Sequence, residues 1–121
     1  MARILIVDDN ALNLELAQDV LEMSGFEVKT ADSGAEGVAK AREMQPDLVL
    51  MDLRMPGMSG REAMRVLHDD AATCHIPVAV LTASAMKGEQ KRLLQQGFDA
   101  YIQKPIDPST FADEVRSLLE N

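Results

Sequence analysis

Residues 48–57 read LVLMDLRMPG, an apolar run that ends on a single acid, Asp52, before the chain breaks at Met55-Pro56-Gly57. Apolar residues without alternation are typical of a strand that is buried on both faces, as the strands of parallel sheets are. The stretch therefore predicts a parallel sheet covered by helices. It also leaves a question open, because an aspartate at the end of such a strand either terminates it or carries chemistry.

The rest of the chain alternates between short apolar runs and helical patterns. The predicted strands are residues 3–7, 26–31, 48–51, 78–81 and 100–102. The predicted helices are residues 10–24, Ser33 to just before Pro46, Ser59 to about Leu67, 87–96, and Pro108 to about Leu119. Five alternations predict an α/β, flavodoxin-like (βα)5 fold, which is a doubly wound five-stranded parallel sheet with helices on both faces. Flavodoxin-like proteins have the strand order 2-1-3-4-5, and we expect it here, in a single domain that spans residues 1–121.

The composition disfavours several classes of function. With 12 Lys and Arg against 20 Asp and Glu, the formal net charge is −8, which disfavours nucleic-acid binding through clustered basic residues. The chain has no Trp, one Tyr and three Phe, so an aromatic platform for stacking bases is not expected either. A single cysteine, Cys74, allows no internal disulfide, and no apolar stretch approaches membrane-spanning length. We therefore expect a cytoplasmic protein with no nucleic-acid or membrane partner.

Polar residues stand at the carboxyl ends of four predicted strands, where parallel α/β sheets collect their ligands. These residues are Asp8 and Asp9, Asp52, Thr82, and Lys104. Each alone is typical of ordinary structure, since an aspartate after a strand commonly forms a turn or caps a helix. Together, however, the acids would repel one another by about 4 kcal/mol for a pair 4 Å apart at an effective dielectric constant of 20. A hard divalent cation such as Mg²⁺ removes that cost, so the cluster predicts a magnesium site.

This set of residues suits phosphoryl transfer. A carboxylate that attacks a phosphoryl group needs a cation between the two anions, and the reaction otherwise needs positioning and charge neutralisation. Mg²⁺ and Lys104 would supply the positive charge, and Thr82 a hydroxyl donor. Asp52 is the candidate nucleophile, because it ends the central strand and precedes a loop that can open access.

Four segments resemble the signatures of the bacterial response-regulator receiver domain. They are VDD at 7–9, MDLRMPGMSG at 51–60, LTA at 81–83 and AYIQKPI at 100–106. The resemblance covers the whole chain and extends to single-domain DivK-type regulators and to the receivers of hybrid histidine kinases. It implies that Asp52 is the phosphoacceptor. It also implies that Asp9, Asp52 and the main-chain oxygen of Arg54 bind Mg²⁺ directly, with Asp8 acting through water.

The resemblance further implies roles at the other strand ends. Lys104 would bind the phosphoryl group, ahead of a cis Pro105, and Thr82 and Tyr101 would form a switch pair. The implied function is two-component signalling by a receiver with no output domain, which is not a turnover enzyme. A histidine kinase or phosphotransfer protein would be the phosphodonor, and a protein output partner would dock on the face that residues 87–119 form.

Two other functions fit parts of the pattern less well. A phosphohydrolase of the haloacid dehalogenase type also uses an aspartyl nucleophile, but it needs an acid two residues later, where Arg54 stands. A flavodoxin-like electron carrier needs a hydroxyl- and glycine-rich loop after the first strand, whereas Asp8 and Asp9 would repel the cofactor phosphate.

Helix one carries one further expectation. At 100° per residue, Asn13, Leu16, Ala17 and Val20 fall on one stripe. Leu14 lies near the edge of that stripe or outside it. It is then either a single exposed leucine, which is ordinary, or part of a docking surface.

Overall fold

The computed structural model describes residues 2–83 and 87–120 and contains five strands and five helices in strict alternation. The strands are β1 (Arg3–Val7), β2 (Glu27–Ala31), β3 (Leu48–Asp52), β4 (Val78–Thr82) and β5 (Ala100–Gln103). The helices are α1 (Ala11–Met23), α2 (Gly34–Met44), α3 (Gly60–Asp69), α4 (Lys87–Gln96) and α5 (Phe111–Glu120). Within the described residues, no helix is both long and apolar enough to cross a membrane.

The five strands form one parallel sheet in the order β2-β1-β3-β4-β5, which confirms the predicted fold. All residues of β3 and of β4 are buried, because helices cover both faces of the sheet. The unbroken apolar run that ends at Asp52 is therefore the central strand, as predicted.

Alternate side chains of each strand enter two separate cores. On one face, Ile4, Ile6 and Leu50 pack with residues of α1 and α5. On the other face, Val49 and Met51 pack with residues of α2, α3 and α4. Each fully buried aliphatic side chain contributes roughly 1.5–3 kcal/mol relative to an exposed one. The two cores thus hold the helices against a sheet whose carboxyl edge carries the acids.

Helix ends follow the predicted caps with two corrections. Ser59 and Glu62 form a reciprocal capping box, and α3 then continues to Asp69 rather than ending near Leu67. The last helix begins at Phe111 and not at Pro108. The residues between form a turn, in which Asp107 Oδ1 accepts hydrogen bonds from the main-chain N and the hydroxyl of Ser109. A local side-chain bond of this kind competes with helix formation.

The residues of the stripe predicted on α1 do not share one environment, since Val20 packs against the core and Leu16 does not. Ala17 and Leu21 are buried and Leu14 packs against the same core, whereas Leu16 is 39% exposed and Leu12 is 76% exposed. Positions 14, 17 and 21 follow the i, i+3, i+7 spacing of a single helical face. The helix is therefore rotated so that Leu14 faces inward and Leu16 faces outward.

The start of α3 lies directly against the end of β3. Gly60 N donates a hydrogen bond of 3.0 Å to Leu53 O. A Cβ atom at Gly60 would lie 2.1 Å from the carbonyl oxygen of Asp52, a distance that no side chain can adopt. A glycine is needed here because of this close approach, and it fixes the loop of residues 53–59 beside Asp52.

Candidate functional site

Three acids converge at the carboxyl edge of the sheet. β1 pairs with β3 in the register Val7–Met51, so Asp8 and Asp52 follow adjacent positions. One carboxylate oxygen from each of Asp8, Asp9 and Asp52 lies within 4.8 Å of the others. Asp8 is 1% exposed and Asp52 is 9% exposed, while Asp9 faces solvent. The predicted cluster is therefore present, with two buried members and one open side.

Lys104 bridges the two buried acids. Its Nζ donates to Asp8 Oδ2 at 3.0 Å and to Asp52 Oδ1 at 3.1 Å. The main chain places it there, because Lys104 N donates to Thr82 O at 2.7 Å where β4 ends. The Lys104–Pro105 peptide is cis, as predicted. The ammonium predicted from the end of the fifth strand thus reaches the acids of the first and third.

Both carboxylate oxygens of Asp8 already have donors. Oδ2 accepts from Lys104, and Oδ1 accepts a 2.9 Å hydrogen bond from Asn10 N. The side chain of Asn10 in turn caps α1 by accepting from Leu12 N and Asn13 N. Asp8 is therefore fixed by the sequence that starts the first helix, and a cation near it would meet an oxygen that already has a partner.

The electrostatics of the site follow from burial and from like charges. Burial raises the pKa of Asp52, and nearby Asp8 raises it further, while Lys104 opposes the shift. Burial alone would lower the pKa of Lys104, but its hydrogen bonds to Asp8 and Asp52 outweigh this and raise it. One ammonium faces three acids, so the site retains negative charge. An oxygen-only donor set of this kind suits a hard divalent cation, with the open side at Asp9 available for water.

Asp52 opens into a cavity of about 470 Å³. Its lining residues are Asp52, Leu53, Arg54, Leu81, Thr82, Ala83, Glu89, Arg92 and Lys104. The structure thus brings Thr82 and Arg54 to the same cavity as the predicted nucleophile and the lysine. Glu89 and Arg92 of α4 were not predicted from the sequence. Their spacing of three residues indicates an ion pair on a helix, but nothing in it shows which way the helix faces.

The family follows from a comparison with known proteins. The family model for the response regulator receiver domain matches residues 4–116 of the chain. The chain belongs to this receiver family. The receiver is 46% identical over 116 residues to the polar-differentiation response regulator DivK of Brucella ovis. The match covers 96% of this chain and 94% of the relative. The regulator of the same name from Brucella anthropi is 45% identical over the same length.

Solved structures agree with this assignment. The chemotaxis protein CheY4 of Vibrio cholerae superposes on the receiver with a TM-score of 0.91 at 27% identity and covers 98% of both chains. The receiver domain of a signal transduction histidine kinase from Syntrophus aciditrophicus has a TM-score of 0.86 at 32% identity, over 99% of this chain and 91% of that one. The receiver is therefore a two-component response-regulator domain with a CheY-like fold.

Tyr101 lies apart from the acidic cavity. In β5 it is in register with Val80 and is half-buried. It lines a different cleft, of about 460 Å³, together with Thr110 and with residues of α5 that include Leu118. Thr82 and Tyr101, the predicted switch pair, thus line separate clefts of the receiver.

Proposed function

We propose that the receiver accepts a phosphoryl group on Asp52 from a phosphohistidine donor and thereby changes its affinity for a protein partner. The arrangement that carries the proposal is the buried bridge Asp8–Lys104–Asp52 beside the exposed Asp9, opening into a cavity. Structural acids at a turn need no such convergence. A phosphoacceptor needs both the charge of this site and its access to solvent.

Each residue has a role in the transfer. An oxygen of Asp52 forms the new O–P bond as the bond from the donor histidine nitrogen to phosphorus breaks. Lys104 and the hydroxyl of Thr82 would bind oxygens of the transferred group. A Mg²⁺ ion, when bound, would neutralise the repulsion between the carboxylate and the phosphoryl group.

The donor set also suggests how the ion would be held. Asp9, Asp52 and the main-chain oxygen of Arg54 would bind Mg²⁺ directly. Both oxygens of Asp8 already accept hydrogen bonds, which supports a contact through water for this residue. Mg²⁺ commonly keeps several waters and takes only one or two carboxylates.

The proposed partners follow from the family. Phosphorylation would come from a histidine kinase or a phosphotransfer protein, and the response would be read on the face that α4, β5 and α5 form. We further propose that residues 1–121 act as one receiver domain, since the match covers 94% of the DivK relative. Arg54 stands two residues after Asp52, where an aspartyl-nucleophile hydrolase needs its second acid, and it lines the same cavity, which disfavours that alternative.

Self-phosphorylation from acetyl phosphate tests the proposal. With Mg²⁺ present, intact-mass measurement should show one phosphoryl group on the wild-type protein and none on Asp52→Asn. Chelation of Mg²⁺ should abolish the label. Asp47→Asn is a matched control, because Asp47 directly precedes the opposite end of β3 and accepts a hydrogen bond from Arg3 N; it should label normally. A label on Asp52→Asn at the wild-type level would contradict the assignment.

A further inference from the structure

Two charged residues of α4 lie in the cavity that Asp52 opens into, and the phosphotransfer scheme does not use them. Glu89 and Arg92 line this cavity with Asp52, Thr82 and Lys104. They form an ion pair through Glu89 Oε2 and Arg92 Nη2, with 21% of the Glu89 side chain and 62% of the Arg92 side chain exposed. A guanidinium and its counter-ion thus lie at the mouth of the candidate phosphorylation site.

The surroundings of this pair are locally basic, although the chain carries a net charge of −8. A second cleft, of about 620 Å³, adjoins the cavity and shares Arg54, Glu89 and Arg92 with it. Arg61 also lines this second cleft and is fixed to α4 by a 2.8 Å hydrogen bond from its Nε to Gln96 Oε1. Among the lining residues of the second cleft, Glu89 is the single carboxylate.

A phosphoryl group on Asp52 would change the balance between these two charges. It adds about −1.5 to −2 charge and three strong acceptor oxygens to the cavity. The added charge repels the carboxylate of Glu89 and attracts the guanidinium of Arg92. An ion pair as exposed as this one is weak enough to exchange partners, and arginine binds phosphoryl oxygens through a planar fork of donors.

We propose that Arg92 is a phosphoryl-binding residue that Glu89 holds until Asp52 is phosphorylated. The guanidinium then exchanges the carboxylate of Glu89 for an oxygen of the phosphoryl group. Both residues belong to α4, so this exchange carries the state of Asp52 directly into that helix. The inference rests on the proposed function, because it requires a phosphoryl group on Asp52.

Binding of beryllofluoride, a tetrahedral mimic of the phosphoryl group, tests the exchange by titration calorimetry in the presence of Mg²⁺. Arg92→Gln should weaken the binding of the mimic about three- to tenfold, since one charge-assisted contact is lost. Glu89→Gln should strengthen it, because Arg92 loses its competing partner. In the Arg92→Gln background, Glu89→Gln should strengthen the binding of the mimic by a smaller factor. The single variant Arg92→Lys should retain part of the wild-type affinity.

Arg116→Gln is the matched control. Arg116 also pairs with an acid three residues earlier, Asp113, at 3.0 Å on α5, and neither residue lines the cavity; its loss should leave mimic affinity unchanged. Unchanged affinity in Arg92→Gln, or an equal loss in Arg116→Gln, would overturn the inference while leaving the proposed function intact. If Asp52→Asn binds the mimic as tightly as the wild type, the proposed function fails and this inference fails with it.

Discussion

At the scale of single residues, the ionised carboxylate of Asp52 destabilises the folded protein. Its carboxylate is 9% exposed and lies beside the buried Asp8. Burial and Asp8 raise the pKa of Asp52, although the hydrogen bond from Lys104 opposes the shift. A raised pKa means that the ionised form is less favourable in the folded state than in the unfolded chain. The same surroundings would give a phosphoryl group and a cation a prepared position.

Replacement of Asp52 by its neutral isostere should therefore stabilise the fold. A carboxyl group whose pKa is raised on folding contributes stability while it is protonated and loses that contribution as the pH rises through the folded-state pKa. In a buffer with chelator, Asp52→Asn should melt a few degrees above the wild type at neutral pH. The difference should shrink as the pH falls and Asp52 becomes protonated. Thermal melts over a pH series measure this, and a neutral-pH melting temperature below that of the wild type would contradict it.

At the scale of elements, the join between β3 and α3 holds the site in place. Gly60 opens α3 with its Cα against the carbonyl of Asp52, and its N–H bonds to Leu53 O. The capping box of Ser59 and Glu62 fixes the same helix start from the other side. The loop after Asp52 is thereby held at both ends, and it carries Arg54 along the cavity.

Two glycine-to-alanine substitutions should therefore have opposite signs. Gly60→Ala would place a Cβ atom 2.1 Å from the carbonyl oxygen of Asp52, so we expect a loss of about 1–3 kcal/mol in the free energy of unfolding. Gly88→Ala, at an exposed position in the first turn of α4, meets no atom within 4 Å and should gain about 0.5–1 kcal/mol from helix propensity. Urea denaturation of both variants measures the two changes. If Gly60→Ala left the free energy of unfolding unchanged, the join between β3 and α3 would not be close-packed.

At the scale of the whole molecule, the acidic edge and the part of the proposed output face around Tyr101 line separate clefts. Thr82 lines the cavity of Asp52, while Tyr101 lines a cleft against α5. They stand on neighbouring strands, β4 and β5, which pair in the register Val80–Tyr101 and Thr82–Gln103. A signal from the phosphoryl group to Tyr101 and its cleft against α5 must therefore pass through a change of arrangement and not through direct contact.

Thr82→Ala tests that step of the proposed function. If the bond between the Thr82 hydroxyl and the phosphoryl group exists in one state alone, it can shift the balance between two states of the receiver. Thr82→Ala should then still bind beryllofluoride with Mg²⁺, but should lose most of the change that the mimic produces in α4 and β5. Amide hydrogen exchange with and without the mimic measures this. A full wild-type change in Thr82→Ala would show that the switch runs through other residues.

Several features of the receiver could be predicted from the sequence because they depend on local pattern. The unbroken apolar runs predicted buried parallel strands, and their alternation with helices predicted one parallel sheet, whose strand order was expected from flavodoxin-like proteins. Because parallel strands share one carboxyl edge, Asp8, Asp52 and Lys104 could be expected together, and their side chains do meet there. These predictions succeed because parallel pairing places the carboxyl ends of the strands side by side. The residue that follows each strand therefore lies at the same edge of the sheet.

Other features were decided only by the tertiary structure, because they depend on how each helix is rotated against the sheet. The pattern of α1 allowed Leu16 to face inward, but the helix packs Leu14 against the core instead and leaves Leu16 39% exposed. In the same way, the rotation of α4 brings Glu89 and Arg92 into the cavity of Asp52. Helix periodicity gives the relative angles of side chains and leaves the absolute rotation undefined. The sequence thus determined which residues stand at the acidic edge, and packing determined which charges of the helices surround it.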